Sequence, residues 1–394
     1  MASARRLALL AILLLAGAER TVGQEPPPPP PSDPEPAAEE PDEEEDLLPS
    51  VDFYFPEGEM DFRLNGLIKN AFYEGQVRYD FVDGDITAFL RYRYYGYSRT
   101  YLLGVFDEVA FESVESGDND FERVRGGLFL LEWPHSFHHR TFLLTEVDRI
   151  TSNKEEFRFS TNRTNTFVRL GYQIGTPDDE RSNAIVGETR AALQRLFSAY
   201  RDVGPGGFGL TGAVTYSDPN LGDFDYVKAE FEALKRVDFP HRNFTIGRLH
   251  GGSFLQKTLV RPDLEPVERY TIPRSEFFRL DGRDNLKGLS ERLRGTEELH
   301  AIGEYFFPWF LGDDRRFLGL RWQDWYWVVY GGYGTVGFDR DVYTDTSSYF
   351  PDVGIGFEAG FKLKRYTFFV GGIVAQTLRG EGDLETRFSI KSHH

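Results

Sequence analysis

From residue 353 to 364 the chain alternates with a period of two. Val353, Ile355, Phe357, Ala359, Phe361 and Leu363 fall on one side; Gly354, Gly356, Glu358, Gly360, Lys362 and Lys364 fall on the other. Only an extended strand places residues two apart on one face. Residues 85–97 repeat the pattern, with Ile86, Ala88, Leu90, Tyr92 and Tyr94 opposed to Thr87, Arg91, Arg93 and Tyr95. Two arginines on one face need water there. Period two serves a soluble sandwich with its apolar face inward and a membrane barrel with its apolar face outward equally well. The aromatic residues separate the two. Trp322, Trp325, Tyr326, Trp327, Tyr330 and Tyr333 crowd one end of a strand pair, as amphipathic rings do at a membrane–water interface. Trp322, Trp325, Trp327 and Tyr330 are therefore expected in an interfacial belt.

Composition agrees with a barrel. Aromatic residues make up 15% of the chain and glycine 40 of its 394 residues, while no run of 18 apolar residues follows the N-terminal segment. That pattern excludes membrane-spanning helices but not strands, of which only alternate residues face lipid. Sixteen strands fit the alternation. Eleven lie near residues 75–82, 86–97, 100–113, 121–132, 141–150, 155–160, 165–174, 184–200, 207–217, 224–235 and 242–250. Five more lie near 298–307, 322–336, 353–363, 366–377 and 384–391. An even number closes a sheet with both chain ends on one side and leaves no open edge in the bilayer. The segment 184–200 also satisfies a helical period through Ala192, Leu193, Leu196, Phe197 and Tyr200.

The ends of the chain divide it into three parts. Arg5 and Arg6, the apolar run Leu7 to Ala16 and the small residues up to Gly23 have the layout of a secretory signal peptide, expected over residues 1–23. Residues 24–50 carry the proline run Pro26 to Pro31 and ten acidic residues without a Lys or Arg, so a disordered linker is expected there. The barrel is expected over 51–394. The absence of cysteine removes disulfides, thiolate sites and a lipidated cysteine. A formal net charge of −18 argues against nucleic acid as a partner.

Between these strands, PRSEFFRLDGRDNLKGLSERLRGTEELHAIGEYFFP (residues 273–308) joins a Gly-rich charged loop to an alternating strand. Pro273, Glu276-Phe277, Asp281-Gly282, Leu286-Lys287-Gly288-Leu289 and Glu304-Tyr305-Phe306-Phe307-Pro308 resemble the long sixth loop and following strand of the Omp85 superfamily, the surface-antigen D15 type of outer-membrane β-barrel. About the last 190 residues carry the likeness. It implies an all-β transmembrane antiparallel barrel with the loop folded into the lumen, export to the bacterial outer membrane, and a role in inserting or translocating other polypeptides. The 27 residues between Gln24 and Ser50 leave no room for the periplasmic POTRA modules that usually precede such barrels. A branch without them is implied, with outer-membrane lipid, client outer-membrane proteins or a separate periplasmic protein as partners. A passive channel or structural barrel is the alternative.

In the family a tip arginine pairs with luminal carboxylates. Here the tip residue is Lys287, and the aspartate expected two residues after Tyr330 is Gly332. Alternation points His300, Ile302, Glu304 and Phe306 inward, so a luminal latch would draw on Lys287 or Arg294 with Glu304. Little else suggests chemistry. There is no G-x-S-x-G elbow, and no cofactor or catalytic residue is expected. His135, His138 and His139 surround a Pro134 turn with no carboxylate beside them, which favours a turn over a metal site.

Overall fold

The computed structural model describes residues 48–393 apart from several turns, the longest stretches left aside being 153–162, 176–205 and 259–271. Among the described residues sixteen long strands form one antiparallel sheet: β1 (Leu48–Phe55), β2 (Glu59–Ile68), β3 (Ala71–Asp80), β4 (Ile86–Tyr95), β5 (Thr100–Ser113), β6 (Asn119–Ser136), β7 (His139–Ser152), β8 (Arg163–Gly175), β9 (Phe208–Ser217), β10 (Tyr226–Asp238), β11 (Phe244–Lys257), β12 (Glu297–Phe310), β13 (Leu320–Gly337), β14 (Phe350–Leu363), β15 (Tyr366–Thr377) and β16 (Leu384–His393). Each pairs with its sequence neighbours, and β1 pairs with β16, so the sheet closes on itself. The two-residue strand Arg316–Phe317 is a hairpin appendage of β13.

The number of strands agrees with the sequence reading, but two of the assignments differ. The segments 155–160 and 184–200 lie outside the described residues. The ring is complete without them, because β7 pairs directly with β8 and β8 with β9. Their places are taken by β1 and β2; β2 carries a plain period of two, Met60, Phe62 and Leu64 opposed to Asp61, Arg63 and Asn65, which the sequence reading leaves unassigned. The first strand accordingly begins at Leu48, inside the stretch read as linker.

Outward positions are apolar and exposed, as a lipid-facing surface requires. Leu90, Leu103, Val105, Val147 and Ile355 are each more than half exposed. Inward positions carry the polar groups: on β12, His300, Ile302, Glu304 and Phe306 are buried, whereas Ala301, Gly303 and Tyr305 are exposed. At the end where β1 starts and β16 finishes, Trp309, Phe310, Trp322 and Trp325 cluster with ring centroids 4.8–6.4 Å apart. Trp327 joins this belt through Trp309 and Phe357. Tyr330 does not. A bulge between Trp322 and Trp325 puts those two rings on one face, and Tyr330, an odd number of residues from Trp325 and Trp327, turns into the lumen, where it is 2% exposed.

Candidate functional site

The connection from β11 to β12, residues 258–296, is the sixth at the end away from the termini, and its described part lies inside the barrel. Phe277, Phe278, Leu280, Leu286 and Leu289 are all buried. Phe277 and Phe278 join an apolar cluster with Phe254, Phe167 and Phe142 from the wall, while Leu280, Leu286 and Leu289 form a second cluster against Val336 and Phe350. Fully burying side chains of this size contributes roughly 1.5–3 kcal/mol each, enough to draw a loop of mixed polarity inward.

Charge then fixes its position at two points of opposite sign. Near the loop's beginning, Glu276 faces two cations of the wall, Arg169 of β8 at 3.6 Å and Lys228 of β10 at 3.8 Å. Both cations also face Glu230, at 3.8 and 3.1 Å. Lys228 stands over the Phe278 ring, 4.4 Å from its centroid. At the tip the polarity reverses. Lys287 Nζ is 3.1 Å from Glu304 Oε1, both side chains almost wholly buried, and sits 4.6 Å from the centre of the Tyr330 ring.

Backbone groups of the tip are held as well. The Gly288 N–H donates to Asp352 Oδ2 at 2.9 Å, and Tyr330 donates to the same oxygen at 3.0 Å while accepting from the Lys287 N–H at 3.2 Å. Arg387 of β16 donates from Nε to the Lys287 carbonyl at 2.9 Å. The missing aspartate is thereby replaced across the ladder. Gly332 is the register partner of Asp352, so the luminal carboxylate has moved one strand over. Gly332 gives the vacated space to the tip: a Cβ there would come within 2.6 Å of both Leu286 Cδ2 and the Tyr330 hydroxyl. Arg294 takes a different place, in a two-residue ladder with Arg279 that closes the neck of the loop.

The turn between β13 and β14 ties together the two strands that flank the loop. Tyr343 donates to the Gly252 carbonyl at 2.7 Å and lies 3.1 Å from Glu297 Oε2. Burial, reinforced by Glu297, pushes its hydroxyl pKa above the usual tyrosine range, so the donor proton is retained. Of the three turn histidines, His135 bonds Thr141 at 2.6 Å and His139 bonds Tyr172 at 2.8 Å. His138 lies outside the described residues.

Glu276, Arg169, Lys228, Asp352, Tyr330 and Arg387 were not singled out from sequence as loop contacts. The available signal was parity: each wall member lies at an inward position of an alternating strand, where a charge is expected to have a luminal partner.

A closed sixteen-stranded antiparallel sheet with an apolar exterior, a charged interior and an inturned sixth loop defines a transmembrane β-barrel with the fold of the Omp85 type. Three solved structures similar to it are BamA and CdiB barrels. BamA from Haemophilus ducreyi lacking POTRA domains 1–3 is 10% identical with a TM-score of 0.58, the match covering 87% of this chain and 69% of that one. CdiB from Acinetobacter baumannii is 14% identical with a TM-score of 0.55, and CdiB from Escherichia coli 11% identical with 0.60; each match covers 88% of this chain. This chain spans 59% and 62% of the two CdiB chains. By sequence, no family model and no curated protein matches it.

Proposed function

We propose that the protein is an outer-membrane barrel that assists insertion or translocation of envelope polypeptides by opening between β1 and β16, without covalent catalysis. The observation that carries this reading is the seam. Among the described residues β1 meets β16 only over Phe53–Phe55 against Phe388–Ile390, whereas β15 meets β16 over Thr367–Gln376 against Leu384–His393. Each backbone bond absent from a ladder leaves groups that a client strand can pair, which is the physics of strand addition. Arg387, bonded to the tip carbonyl, is the residue next to Phe388 in the seam, so the inturned loop and the opening edge share a contact. Outer-membrane lipid is the solvent, client barrel proteins are the substrates, and a separate periplasmic protein would deliver them.

The test uses the absence of native cysteine. Tyr54 and Ser389 are register partners across the seam, and Tyr54→Cys with Ser389→Cys places one removable bond there. In liposomes the reduced protein should speed folding of a client barrel protein over empty liposomes, and oxidation should abolish the gain. Equal acceleration by oxidised and reduced forms rules out the seam; no acceleration by either rules out the activity.

A further inference from the structure

We infer that the barrel wall carries a divalent transition-metal site, of zinc type, made by His250, Glu298 and His300. The three side chains come together through strand geometry. His250 of β11 and His300 of β12 are direct register partners, and Glu298, two residues before His300, lies on the same luminal face. Their potential ligand atoms all fall within 4.8 Å of one another. His300 Nδ1 is 2.9 Å from Glu298 Oε1, His250 Nδ1 is 3.4 Å from Glu298 Oε2, and the two imidazole centroids are 5.2 Å apart. Tetrahedral zinc with bonds of about 2.0–2.2 Å separates its ligand atoms by roughly 3.3–3.5 Å, so side-chain rotation of about an ångström completes the set.

Two features favour a cation over a plain ion-paired cluster. All three side chains are buried, with Glu298 2% and His300 1% exposed, and His300 Nε2 is buried without a hydrogen-bond partner. A buried ring nitrogen left without a partner is a lone pair that a metal can satisfy. The charge balance also suits a dication. The neighbouring Glu232 is paired with Arg248 at 2.9 Å and Glu230 with Lys228 at 3.1 Å, which leaves Glu298 as the carboxylate bridging the two imidazoles. Two imidazoles and one carboxylate are the donor set of zinc sites that keep a fourth position for water.

The location gives such an ion a structural consequence. Glu298 and His300 follow directly on the end of the loop at Thr296, and the loop's Phe278 lies edge-on against His250 with centroids 6.4 Å apart. A bound cation would staple β11 to β12 at the point where the inturned loop rejoins the wall. This holds whether or not the barrel inserts clients.

The experiment is zinc binding by the full-length protein refolded in detergent, stripped with chelator and dialysed against zinc. Retained metal is measured per chain, with folding monitored by heat-dependent gel mobility. The wild type should keep one tightly held zinc. Glu298→Gln, which preserves shape, and His300→Ala should each weaken it by more than the ~10–100-fold that loss of an outer-shell partner costs. Cobalt provides a readout independent of any variant: the wild-type adduct should show the intense visible bands of a four- or five-coordinate ion. Zinc retention unchanged by both substitutions, as binding at His135, His139 or the C-terminal histidines would give, overturns the proposal. So does a cobalt spectrum indistinguishable from that of the hexa-aqua ion.

Discussion

Glu304→Gln should release the loop tip from the lumen and make Lys287 a trypsin site. In the native barrel that lysine is 1% exposed, with its ammonium against a carboxylate that is itself 0% exposed. Removing one partner of a buried pair costs about 3–5 kcal/mol, because the other charge stays desolvated without compensation. The tip escapes that penalty by withdrawing and rehydrating its lysine, giving up the bonds to Asp352 and Arg387 and the burial of Leu286 and Leu289. Limited digestion should therefore cut after Lys287 in the variant and not in the wild type, and planar-bilayer conductance should rise. The double change Lys287→Met with Glu304→Leu should restore low conductance, because well-packed apolar side chains replace buried ion pairs at little or no cost. If Glu304→Gln stays as trypsin-resistant and as poorly conducting as the wild type, the pair does not hold the loop.

How much of this could be read from sequence depends on how strongly each residue's neighbours constrain it. Strands with sustained alternation, such as β4, β5, β14 and β15, declare themselves, and so does the inward direction of Glu304, because parity follows from a single strand. The first strand does not, since its pairing with β16 joins segments far apart in sequence; the second does, through Met60, Phe62 and Leu64 against Asp61, Arg63 and Asn65, and its omission is a missed signal. Two local signals misled. The Gly251-Gly252 pair reads as the end of a strand, yet β11 continues to Lys257. There Gly252 makes room for the Phe278 ring, which a Cβ would overlap. Tyr330 sits among interfacial tryptophans, but it lies an odd number of residues from Trp325 and Trp327, so alternation sends it inward and the aromatic composition of the segment outweighed that parity. The clasp was half legible. Lys287 and Glu304 lie on one loop and the strand after it, whereas Asp352 becomes the replacement carboxylate only through its register with Gly332, a pairing between strands. The metal-site candidates divide likewise: the turn histidines are adjacent in sequence and bond to Thr141 and Tyr172, while His250 and His300 are brought together only by the β11–β12 ladder.

Gly288→Ala should open the same clasp by sterics alone, leaving every charge in place. A Cβ at Gly288 would come 2.6 Å from the backbone nitrogen and 2.7 Å from the carbonyl carbon of Gln376, and would overlap Asp352 Oδ1. The aspartate can rotate, but Gln376 belongs to β15 and is held in ladders with β14 and β16. The tip must therefore move instead. Overpacking of this kind costs about 1–3 kcal/mol, and the lost N–H bond to a carboxylate about 1.5–3 kcal/mol more. Together these approach the cost of losing Glu304, although the methyl group carries no charge. Gly303→Ala is the matched control. It lies on the lipid face of β12, where its nearest neighbour would be the Gly331 carbonyl oxygen at 4.0 Å, so its effect should stay within about 0.5 kcal/mol. Both variants should keep the wild-type heat-dependent gel shift, since the sixteen-strand ladder is untouched. Only Gly288→Ala should expose Lys287 to trypsin and raise conductance. Equal protection of Lys287 in the two variants would mean that the tip does not rest against Gln376 and Asp352, and that its hold on Arg387 beside the seam cannot couple the loop to the opening of β1 from β16.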